Sequence, residues 1–64
     1  MRLEYRKSGD LFWKEIPIDI VLEAKRRAEK LGHPNRGNPY LYLDPLWAWL
    51  QILLGGDGVL IRAA

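Results

Sequence analysis

The sequence predicts a small α+β domain, with a mostly antiparallel sheet packed on two helices in the order β-β-α-(β)-α-β. Three observations carry this prediction. Arg2-Leu3-Glu4-Tyr5-Arg6 alternates polar and apolar residues with the period of a half-buried strand. Apolar residues within 20–31 recur at helical spacing. A second helical segment opens on Asp44-Pro45 and stops at Gly55-Gly56. The chain has 64 residues, too few for a second domain. A chain of this size buries only roughly 60% of the surface its unfolded form exposes. That leaves little volume for a roomy substrate cleft beside a core.

The N-terminal strand leads into Lys7-Ser8-Gly9-Asp10, a turn in which Gly9 can take positive φ. Leu11-Phe12-Trp13-Lys14-Glu15-Ile16 reads as the return strand of a hairpin. Such a hairpin is marginal alone and needs something packed on it. Pro17 then introduces the first helix, either as its first residue or just ahead of Asp19 as N-cap. Ile20, Val21, Ala24, Ala28 and Leu31 fall within an arc of about 100° on that helix, a clean apolar stripe. The two alanines in it would let the helix sit close to the sheet. Gly32 suits the C-terminal cap, and Pro34 forbids continuation.

The segment 33–39 holds two Pro, two Asn and a Gly, and reads as a loop. Tyr40-Leu41-Tyr42-Leu43 alternates and would form a short strand. The second helix runs from Pro45 through Leu54. Leu46, Trp49, Leu50 and Leu53 make one stripe on it, but Ala48 and Ile52 lie almost opposite, and Gln51 is its one polar side chain. A helix apolar nearly all round must be buried on more than one side. Covering it within so short a chain looks difficult, so a partner is expected, most simply a second copy. Val59-Leu60-Ile61 reads as a last strand, apolar on both faces as a central strand would be.

Composition narrows the chemistry. There is no Cys, one His, one Ser (Ser8) and no Thr. Thiol catalysis, disulfides and thiolate metal sites are thereby excluded, and one His falls short of a structural zinc site. Ser8 and His33 form no spacing signature of a catalytic triad. No catalytic residue, metal ligand or cofactor site is therefore assigned. A catalytic role would need a site assembled between subunits, with His33 brought to a carboxylate of another chain. Gly55-Gly56-Asp57-Gly58 is glycine-dense, yet no Lys-Ser/Thr follows it and a strand, not a helix, comes next. It is a helix stop and a turn.

Two binding surfaces remain. The first is the second helix, with Trp47, Trp49, Leu50, Ile52 and Leu54 as interface residues and Trp47 as the preferred anchor. It points to a non-catalytic protein-interaction module that associates with itself or acts as a small regulatory or inhibitory subunit. The second is a nucleic-acid kit of Lys25, Arg26 and Lys30 on the first helix with Arg36, Tyr40 and Tyr42 in the loop. Against it, the net charge is only +2, and Glu23 stands four residues before Arg27 in the favourable ion-pair orientation. The longest uncharged stretch, 45–56, is shorter than the ~20 residues a bilayer requires. No leader-like segment opens the sequence, so a cytoplasmic protein with no membrane span is expected.

Overall fold

A computed structural model describes residues 2–34, 44–56 and 58–64. Five elements occur among them: β1 (Leu3–Lys7), β2 (Lys14–Glu15), α1 (Ile18–Leu31), α2 (Pro45–Leu54) and β3 (Val59–Ala63). The three strands form one antiparallel sheet in the order β2-β1-β3. The architecture is the α+β arrangement that the residue patterns predict. The expected strand at 40–43 lies outside the described residues. No helix among the described residues is long and apolar enough to cross a membrane.

Alternation along β1 sends Leu3 and Tyr5 to the helix side, with Glu4 and Arg6 on the other face. β3 pairs with β1 over its whole length, Leu3 opposite Ala63 and Lys7 opposite Val59. Val59 and Ile61 thus join the helix side, where Val59 is buried. Leu60 and Arg62 face outward. The apolar run Val59-Leu60-Ile61 suggested a central strand, but β1 occupies the centre and β3 an edge. Leu60 is accordingly half in solvent.

The return arm of the hairpin departs further from its pattern. The turn closes with the Asp10 N–H donating to the Lys7 carbonyl at 3.0 Å, and Gly9 takes φ 93°. The ladder, however, sets Tyr5 opposite Lys14. One residue separates Tyr5 from Lys7, whereas three separate Asp10 from Lys14. The return arm thus carries two residues in excess. Pairing resumes only at β2, and Leu11 and Phe12 are extruded, 83% and 77% exposed. An extra residue in one arm of a ladder has nowhere to go but outward.

α1 begins after Pro17, whose carbonyl accepts from the Ile20 and Val21 N–H groups at 3.1 and 3.2 Å. Asp19 sits in the first turn and is not the cap. There its charge complements the helix dipole. Gly32 closes the helix, at φ 71°, donating to the Ala28 carbonyl. Ala24 is fully buried, with Ile20, Val21 and Ala28 packed around it. This stripe meets α2 more than the sheet, so the alanines allow helix–helix approach. Leu31 lies one turn beyond the core-facing row and is 66% exposed.

α2 is capped by Asp44, whose Oδ1 accepts from the Leu46 N–H at 2.9 Å, with Pro45 as its first residue. Gly55 ends it at φ 142°, a conformation that L side chains rarely adopt. Between these caps every residue is buried or half-buried. α1 covers one side and the sheet another, and Leu50 at the centre has no exposed area. Its own chain therefore covers this helix on two sides, leaving Trp47, Gln51, Ile52 and Leu53 half-buried. The core joins Leu50, Trp49 and Leu54 to Leu3, Ile16, Ala24 and Val59.

Truncating the centre should be costly, whereas truncating the wet face of β3 should not be. Leu50→Ala is expected to lose about 2–5 kcal/mol. Leu60→Ala should change stability by no more than about 0.5 kcal/mol. Urea denaturation of the two variants beside the parent chain measures both.

Candidate interaction surface

Trp49 pins the two helices together. Its indole Nε1–H donates to the Gly32 carbonyl at 2.7 Å, and the Arg27 guanidinium lies 5.3 Å from its ring centroid. Arg27 Nε donates to Glu23 Oε2 at 2.7 Å, and Arg26 grips both oxygens of the same carboxylate at 2.7 and 2.8 Å. The pairing expected between Glu23 and Arg27 is present, and a second arginine joins it. The basic run on α1 is thus partly neutralised where it stands. Lys25 and Lys30 are exposed. Arg36, Tyr40 and Tyr42 lie outside the described residues.

Of the residues expected at an interface on α2, Trp49, Leu50 and Leu54 are buried by their own chain. Trp47 and Ile52 are half-buried, Trp47 packing against the core. The burial of three of these five residues has a physical cause. Helix α1 and the sheet approach α2 from different sides, and Ala48 and Ala24 allow close contact.

Exposed apolar surface is found elsewhere. On the face of the sheet turned away from the helices stand Arg6, Trp13, Leu60 and Arg62. Arg6 and Arg62 approach the Trp13 ring with Cζ–centroid distances of 5.3 and 4.2 Å. Each such contact contributes about 0.5–1 kcal/mol at an exposed site. Arg62 also donates through Nε to Glu4 Oε1 at 2.9 Å. Because Trp13 directly precedes β2 and Arg62 lies on β3, this guanidinium reaches across β1. Leu11 and Leu60 line one shallow depression with Arg6 and Lys7. The extruded Leu11–Phe12 pair therefore borders the open face, beside a partly exposed Trp and two arginines.

Sequence reasoning assigned Leu11 and Phe12 to a strand. The signal against that was in the run itself: Leu11-Phe12-Trp13 does not alternate, as a strand with one wet face should. Among the described residues, no group of His, Asp and Glu is arranged to hold a metal ion.

The two guanidiniums, Arg26 first and Arg27 second, hold the Glu23 carboxyl below the usual carboxylate range. A depressed carboxylate adds stability above its unfolded pKa and loses it as pH falls through the folded one. The parent chain should therefore exceed Glu23→Gln in melting temperature at neutral pH. That gap should close as pH falls from the ordinary glutamate value through the lower folded one, as thermal melts across pH will record. No protein-family model, curated protein or solved structure matches the chain.

Proposed function

We propose that this chain is a non-catalytic protein-interaction module that binds a partner protein through the open face of its sheet and the extruded Leu11–Phe12 pair. The observation that carries this reading is the extrusion. Two large apolar side chains are held in solvent by a surplus of chain in the hairpin, not by a shortage of core. Leaving them exposed is unfavourable by about 25 cal/mol per Å² of apolar area, a cost recovered when a partner covers them. Trp and Arg are the residues that dominate interface energetics, and Trp13, with Arg6 and Arg62 over its ring, directly follows the pair. The partner that fits offers an apolar pocket for Phe12 and carboxylates for Arg6 and Lys7. A small regulatory or inhibitory subunit, or a self-associating one, would use such a surface.

A second reading is supported by one feature. A partly exposed Trp between two arginines on an open sheet is also suited to stacking single-stranded nucleic acid. It is separated by salt, since phosphate contacts make the logarithm of affinity fall steeply with the logarithm of salt concentration.

The immobilised chain should retain a specific protein from a nuclease-treated extract, and Phe12→Asp should weaken that binding by about 30-fold or more, the ~2 kcal/mol scale of an interface anchor. Stability should change by no more than about 0.5 kcal/mol, because Phe12 lies outside the core. Retention unaffected by Phe12→Asp would contradict the reading. Binding of an oligonucleotide that quenches tryptophan fluorescence, with the steep salt slope, would favour the second.

A further inference from the structure

We propose that β3 pairs edge to edge with β3 of a second copy of this chain, antiparallel and centred on Arg62. This inference concerns the rim of the sheet and does not depend on what covers its open face. It starts from the hydrogen-bond phase of the ladder. The Ala64 N–H donates to the Arg2 carbonyl at 2.8 Å, and the register sets Glu4 opposite Arg62 and Arg6 opposite Leu60. In an antiparallel pair the residues that exchange both bonds alternate along the strand. Leu60 and Arg62 therefore turn their backbone groups toward β1. Val59, Ile61 and Ala63 turn theirs to the free side. The same phase holds across β1, where the Leu3 carbonyl points the other way and accepts from the Ile16 N–H at 2.9 Å.

The free side is open for only part of its length. The Val59 N–H donates to the Gly56 carbonyl at 3.2 Å, and the Val59 carbonyl accepts from Gln51 Nε2 at 3.0 Å. Among the described residues no strand pairs with the N–H and C=O groups of Ile61 and Ala63. Edge strands are ordinarily protected by proline, bulges or outward charge. β3 has no proline, and it pairs with β1 without interruption. Its one charge, Arg62, is drawn inward over β1 by Glu4 at 2.9 Å and by the Trp13 ring.

The open stretch is self-complementary. A two-fold axis at Arg62 sets Ile61 opposite Ala63 of the second copy and Ala63 opposite its Ile61. Two hydrogen-bonded pairs then use all four exposed groups on each strand and leave the Gln51–Val59 bond intact. Leu60 comes opposite Ala64 of the second copy, large beside small. The two Arg62 side chains, each held by its own Glu4, face away from the axis. The product is a continuous six-stranded sheet with an isologous interface.

Light scattering coupled to size exclusion, with amide exchange read residue by residue, tests this on the full chain over a concentration series. The expected result is a species of twice 7.4 kDa that dissociates on dilution. The Ile61 and Ala63 amides should be protected only in that species, whereas the Arg62 amide should be protected throughout. Ala63→Pro should be monomeric yet folded, since the N–H it removes faces the free edge, where proline is tolerated. A parent chain monomeric at every concentration would overturn the proposal. So would a dimer whose Ile61 and Ala63 amides exchange freely, a readout that needs no variant. A dimer that survives Ala63→Pro but is lost in Phe12→Asp would place the second copy on the open face, overturning the edge pairing and supporting the reading above.

Discussion

The burial of α2 between α1 and the sheet is the constraint from which the rest of the fold follows. Its sequence, Pro-Leu-Trp-Ala-Trp-Leu-Gln-Ile-Leu-Leu, offers water almost nothing to bind. A small domain ordinarily has one layer of helix on one layer of sheet, and each helix keeps a wet side. Here α1 lies against α2, and α2 lies against the sheet, so the central helix is covered from two sides. α1 turns one apolar stripe to α2 and, as the outer element, leaves Ile18, Leu22 and Leu31 in solvent beside its charged residues; Ala24 is at the centre of the stripe because the two helices must meet closely.

The polar groups around α2 serve its ends and margins. Asp44 accepts from the Leu46 amide at its N-terminus, Gly55 and Gly56 donate back to its last carbonyls, and Gln51 reaches out to Val59. Trp49 hands its indole N–H to the end of α1, so the largest buried side chain also orients the neighbouring helix. The Lys7 side chain comes within 3.4 Å of where a Cβ on Gly55 would stand. That puts a cation beside a helix C-terminus whose last turn has no basic residue. No buried side-chain polar atom among the described residues is left without a hydrogen bond. The open face and the free edge of the sheet are the parts that α2 does not reach, and both proposed interfaces are built on them.

Much of this could be read from the residues. Asp44-Pro45, Gly55-Gly56 and Gly32 marked helix ends because each has a local conformational reason to be there, and the stripe on α1 reports a single buried face. What local pattern could not report was enclosure. The apolar circumference of α2 implied burial on more than one side, but not whether its own chain or another supplies the cover; Trp49, Leu50 and Leu54 became core for that reason. The same holds for Leu11 and Phe12. Their strand propensity is real, yet the register set by Tyr5 opposite Lys14 leaves no place for them in the ladder. Val59-Leu60-Ile61 looked central because its outward Leu60 is apolar, which on an edge strand marks exposed surface instead.

The most direct test of the enclosure of α2 is native-state amide exchange of Leu50 and Leu54 at concentrations low enough that only the single chain is present. Enclosure by its own chain predicts that both amides exchange only through global unfolding, at a rate that does not change with concentration. Fast exchange in the dilute chain, with protection gained only on association, would mean that a partner, and not α1 and the sheet, completes the core.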